Sequence, residues 1–151
     1  MKLTSFRLAF IAILLAANTV FAQQSPVFAT AGKAIRGYDP VAYFTESKPV
    51  MGDSTLAYSY RGANWYFASA ANRDAFKATP DQYVPQYGGY CAYGTSQGHK
   101  APTQPDAWTI NGGKLYLNYN AKVKAIWDKD RPGYIEKADG IWPTIQDKDA
   151  H

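Results

Sequence analysis

Cysteine is nearly absent from this chain: Cys91 is the only one in 151 residues. An internal disulfide is therefore excluded, and a fold of this length must be held by its core. Basic residues are scattered and form no run, with 16 Lys and Arg against 12 Asp and Glu. Nucleic-acid binding is left without support. Past residue 22 no apolar run approaches the roughly 20 residues needed to cross a bilayer. The sequence has no phosphate-cradling loop with its Lys and Ser/Thr, and no nucleophile elbow. Internal repeats and low-complexity blocks are missing too.

What is present begins with "MKLTSFRLAFIAILLAANTVFAQQ". Lys2 and Arg7 form a positive start, Leu8 to Ala17 an apolar run, and Val20, Phe21 and Ala22 a small-x-small cleavage site. The pattern reads as an export signal over 1–22, cleaved after Ala22, with no stable membrane anchor left behind. No cysteine marks lipid attachment and no arginine pair accompanies the run, so the ordinary export route is expected.

Local signals divide the remainder into a flexible lead-in over 23–33, one domain over 34–145 and a frayed tail over 146–151. In "GYDPVAYF" Asp39 caps a short helix and Pro40 opens it. "STLAYSY" and "WYFAS" alternate as two strands of a hairpin. Ser69 caps a helix that stops at Pro80, where a second short helix begins. Gly112-Gly113 joins "DAWTIN" to "KLYLNY" in a second hairpin. Asn120 caps a helix whose Val123, Ile126 and Trp127 share one face. A last helix runs from Pro132 to near Trp142-Pro143. The expected fold class is α+β: one small domain of two short antiparallel hairpins packed with several short helices.

"DPVAYF" followed by "YRGANWYFASAANRDAFKATPDQY" resembles the YHS-domain family, and "GYDPVAYF" through "YGGYCAYG" to "DGIWP" is similar to its exported, periplasmic bacterial branch. The resemblance implies a YHS-like fold in the periplasm. The wider family is associated with metal through three cysteines. Here those positions are Ala42, Ala68 and Asn72, so that thiolate site does not carry over. The scaffold does: Tyr60, Gly62, Tyr66, Phe67, Ser69, Phe76, Pro80 and Tyr83.

"YGGYCAYGTSQGH" is the chemically distinctive stretch. Gly88 and Gly89 permit tight turning before Cys91. In the first turn of a helix the thiol would sit among unpaired N–H groups that favour the thiolate, a soft ligand or a nucleophile. The alternative is a small buried hydrophobe. The leading expectation is a non-enzymatic binding module with a pocket lined by Tyr38, Tyr43, Tyr87, Tyr90, Cys91 and Tyr93. A soft metal such as copper would suit it, with Cys91, His99 and Met51 as the candidate ligands by softness. Two other readings stay open. One is a structural or protein-interaction module with an inert Cys91. The other is a thiol-dependent enzyme using His99 as base. Asp39, Asp74, Asp106 and Asp128 could supply carboxylates, and no catalytic residue is assigned.

Overall fold

The computed structural model of the chain describes residues 26–149. The expected export signal, residues 23–25 and the last two residues lie outside that range. The first hairpin forms as expected, from β3 (Asp53–Tyr60) and β4 (Ala63–Phe67). It is not alone. β1 (Ala29–Thr30) and β2 (Lys33–Ala34) extend it to a four-stranded sheet in the order β1-β2-β4-β3. β2 joins β4 in parallel, with Lys33 opposite Asn64. The flexible lead-in expected over 23–33 is thus corrected over its described part. Val27 and Phe28 are buried in it, which anchors the two strands despite the small, polar residues around them.

α1 (Ala42–Thr45) follows, and α2 (Ala70–Ala78) packs back on the hairpin. Ser69 caps α2 by accepting from the Asn72 N–H at 3.1 Å. Phe76 is the buried residue of α2, and its ring meets those of Trp65 and Phe67 at 5.3 and 5.1 Å. Tyr60 approaches it edge-on at 5.7 Å. The cluster concentrates aromatic burial where aliphatic side chains are few. α3 (Pro80–Tyr83) starts on its proline.

The second hairpin pairs β5 (Trp108–Asn111) with β6 (Lys114–Leu117) across Gly112-Gly113, both glycines at positive φ. Alternation along β6 divides the interior. Leu115 and Leu117 enter the first core with Trp65, Phe67 and Phe76. Tyr116 enters a second core with Tyr87, Ala92, Trp127 and Ala138. α4 (Ala92–Ser96), α5 (Ala121–Asp128) and α6 (Arg131–Ile145) enclose that second core.

α6 continues past Trp142-Pro143 to Ile145. A proline this near a helix end removes one hydrogen bond without stopping the last turn. The frayed tail expected over 146–151 is corrected in its described part. The carbonyls of Gln146 and Lys148 are held by the Lys100 ammonium. With six α-helices and two sheets among the described residues, the fold is α+β as expected.

Candidate functional site

Asp39 stands two residues before Val41, the N-cap of α1, so the helix starts at Ala42 and not at Pro40 as expected. The Asp39 Oδ1 accepts from the N–H groups of Val41 at 2.8 Å and Ala42 at 3.3 Å. Its Oδ2 accepts from the Ala68 N–H at 2.9 Å and from Asn72 Nδ2 at 2.7 Å. The carboxylate is fully buried. Ala42, Ala68 and Asn72 are the three positions where the resemblance puts cysteines. They converge on one carboxylate whose roughly four lone-pair sites are all taken. With two alanines and an amide donor around a saturated acceptor, this locus does not fit a metal ion.

The glycine-rich stretch is a tight junction. Tyr87, Gly88 and Gly89 have φ of 57°, 62° and 88°. A Cβ on Gly88 would run into the carbonyl oxygen of Pro26, and one on Gly89 would lie 2.6 Å from Ile35 Cγ2. The Phe28 N–H donates to the Gly88 carbonyl at 2.9 Å, and the Thr103 hydroxyl to the Gly89 carbonyl at 2.7 Å. Ile35 itself has φ 41°, a strained value for a β-branched residue. The two glycines let the strand β1–β2 region and the second core meet without side chains between them.

Cys91 is the N-cap of α4, not a first-turn residue. Its Sγ accepts from the N–H groups of Gly94 at 3.4 Å and Tyr119 at 3.3 Å and lies 3.5 Å from Asn118 Oδ1. It is 1 % exposed. Burial pushes the thiol pKa up, against the pull of the N–H groups of Gly94, Tyr119 and Tyr93. The expectation of an activated thiolate is therefore corrected: in this setting desolvation outweighs the dipoles of a short helix.

The other singled-out residues do not gather into one pocket, though Cys91 Cβ and His99 Nε2 each stand 3.4 Å from the place a Gly94 Cβ would take. Tyr43 is in the first core, its hydroxyl donating to the Pro105 carbonyl at 2.8 Å and its pKa raised by burial, and Tyr38 packs against the same core. Tyr87 and Tyr93 belong to the second core. Tyr90 rests between Phe28 and Trp142, at 5.7 and 6.1 Å, beneath the Lys100 ammonium at 4.5 Å. His99 is exposed, with Nε2 3.4 Å from the position a Gly94 Cβ would take. Met51 is 57 % exposed and its backbone bridges to Tyr38. Among the described residues no group of three or more His, Cys, Asp or Glu is placed to hold a metal ion. Asp74 pairs with Arg73, and Asp128 with Lys124 and Arg131. Asp106 is exposed in a loop.

A cleft of about 700 Å³ opens where α3 and the Gln86–Gly89 turn face α6. Such a volume is typical of a small-ligand site, roughly 300–1,000 Å³. Of the six residues expected to line a pocket, Tyr87 lines this one. Its hydroxyl donates to Asp139 Oδ1 at 2.9 Å, and burial, followed by that bond, raises its pKa. The indole of Trp142 lines the cleft beside it and packs on Tyr87 at 6.0 Å. Arg61 and Asp81, paired at 2.9 Å, and Lys114 add charge at the edges. Trp142, Asp139 and Lys114 were not singled out by the sequence. Asp139 and Trp142 stood only in the "DGIWP" end of the resemblance and Lys114 only in the second hairpin, and nothing local joined them to Tyr87.

The architecture defines a small α+β domain with a mixed aromatic and charged cleft beside a strained turn. Residues 41–87 match the YHS domain family. The match takes in α1, the β3–β4 hairpin, α2 and α3 and ends on Tyr87. The elements that carry Lys114, Asp139 and Trp142 lie beyond it. No curated protein matches the chain, and no solved structure does.

Proposed function

We propose that this protein is an exported, periplasmic binding module built on a YHS domain, and that its ligand occupies the cleft between the Gln86–Gly89 turn and α6. The cleft carries the reading: a 700 Å³ concavity walled by Tyr87 and Trp142 and edged by charges of both signs. Export is supported by the tripartite N-terminus, with its basic start, apolar run and cleavage site at Ala22. A non-enzymatic role is supported by the state of Cys91, which is buried and pushed toward the neutral thiol. The soft-metal form of the reading has weaker support, since that same thiol is covered and Met51 sits exposed beside Tyr38.

The test has two arms. Mass spectrometry of the protein recovered from the periplasm of an expressing bacterium is expected to show a chain starting at Gln23. A Met1 start in the membrane fraction would overturn the export part. Thermal-shift screening of the purified mature chain against a small-molecule library is expected to give hits whose chemical-shift changes map to Tyr87, Asp139 and Trp142. Hits mapping to the Cys91 surroundings instead would move the site.

A further inference from the structure

The charged side chains that line the cleft sum to no net charge. Arg61 and Lys114 balance Asp81 and Asp139. Asp81 Oδ1 already accepts from Arg61 at 2.9 Å and from the Tyr60 hydroxyl at 3.0 Å. Asp139 Oδ1 accepts from Tyr87. A ligand with no net charge leaves that balance and these contacts in place. A neutral ligand can add to them, because each carboxylate has about four acceptor sites and a guanidinium five donors.

The polar groups are also mixed in type. Asp81 and Asp139 only accept, Arg61 and Lys114 only donate, and Gln86 and Gln146 do both. A ligand that meets all of them needs groups that donate and accept at once, which is the property of a hydroxyl. The apolar part of the lining comes from Trp142 with Pro26, Val84, Pro85 and Pro143. It suits a face of C–H groups rather than a long alkyl chain.

Resting on the cleft as the binding site, we propose that the ligand is a neutral polyhydroxylated molecule, a short saccharide whose ring lies on Trp142 and whose hydroxyls reach Asp139 and Lys114. Free oligosaccharides and the ends of larger glycans share this chemistry.

The test is titration calorimetry of the mature chain with cellobiose, maltose and chitobiose and their trisaccharides. Zwitterionic dipeptides and dicarboxylates serve as comparators. Saturable binding of at least one saccharide is expected, weakened about tenfold or more in Asp139→Asn, where a charge-assisted bond is lost. That substitution keeps an acceptor for Tyr87, so the fold is retained if Trp142→Ala does not survive. His99→Ala is expected to bind as the wild type does. Co-sedimentation with insoluble cellulose and chitin separates glycan ends from free sugars as the source.

Binding of dipeptides or dicarboxylates at the cleft, with no saccharide bound, overturns the saccharide and leaves the cleft standing. Saccharide binding that is unchanged in both Asp139→Asn and Trp142→Ala overturns the placement. If nothing in the panel or the library shifts the resonances of Tyr87, Asp139 or Trp142, the inference and the cleft reading fall together.

Discussion

Lys100 Nζ lies 2.9 Å from the carbonyl oxygen of Gln146, and 2.8 Å from that of Lys148, with the side chain 2 % exposed. The ammonium thus ends α6 from outside, satisfying carbonyls that no helical N–H reaches and opposing the negative end of the helix dipole. Below it, Tyr90 offers its ring face and in turn packs on Trp142. One lysine in the "GHK" loop therefore fixes the wall of the cleft.

Lys100→Met keeps the stem and removes the donors. Two charge-assisted bonds are lost, and a loss of about 2 kcal/mol is expected, offset in part by relief of a buried charge. Urea denaturation measures the stability. Hydrogen exchange is expected to speed up over residues 141–149 before it does elsewhere. Uniform exchange, or unchanged stability, would show that the contact does not hold the helix end.

The Asp39 hub gives a second expectation. Asp39→Ala leaves three backbone N–H groups and the Asn72 amide without their acceptor at the junction of α1, β4 and α2. A destabilisation of about 3 kcal/mol or more is expected. Asn72→Ala removes one donor and is expected to cost about 1–2 kcal/mol. Asn72→Asp should be worse than Asn72→Ala, because an acceptor would replace the donor that faces the Asp39 oxygen. Equal stability of the two Asn72 variants would contradict the amide's role as donor to Asp39.

Much of this fold was legible locally. Ser69 and Asn120 read as caps because each precedes a helix with the right side chain, and each accepts the expected N–H, whereas Asp39 stands two residues before the N-cap Val41 and accepts from Val41 and Ala42. The two hairpins read from alternation and from Gly112-Gly113. What stayed hidden was non-local. β1 and β2 are two residues long and owe their existence to Val27 and Phe28 finding the Gly88–Gly89 turn, some sixty positions away. Lys100 looks like any loop lysine until Gln146 arrives above it. The chain carries 12 tyrosines. Their division between two cores, though, depends on β6 presenting Tyr116 to one side and Leu115 and Leu117 to the other. Tyr87 alone linked the sequence to the cleft.

Two glycines at nearly the same φ are expected to respond differently. Gly88 and Gly112 lie at 62° and 59°. At Gly112 nothing stands within 4 Å of an added Cβ, so Gly112→Ala is expected to lose about 1 kcal/mol, from backbone strain alone. At Gly88 the Pro26 carbonyl occupies the place of the new methyl. Gly88→Ala must separate the N-terminal strands from the turn and is expected to lose more than about 3 kcal/mol, or to fail to fold. Thermal unfolding of both variants checks the contrast. Similar losses would mean that the contact between Pro26 and Gly88 yields easily.

Alkaline pH is expected to weaken the fold. Burial raises the pKa of Tyr43, Tyr87, Tyr90, Tyr116 and Cys91. Above the ordinary values, about 8.5 for a thiol and 10 for a phenol, the unfolded chain releases these protons while the folded chain keeps them, so stability falls as pH rises. Lys100 works in the opposite direction. Burial lowers its pKa, the unfolded chain holds that proton more tightly, and this contribution rises with pH toward about 10.4. One lysine against four phenols and a thiol leaves a net loss. The melting temperature is expected to fall by more than about 5 °C between pH 8 and 10.5. Cys91→Ala should delay the onset, and Tyr87→Phe should flatten the curve above pH 10 while losing the bond to Asp139 at every pH. A thiol probe at pH 8 should label Cys91 only as fast as the protein unfolds. Rapid labelling of the folded chain, with a flat melting profile, would mean that the thiol is open to solvent and would return Cys91 to the candidate ligands.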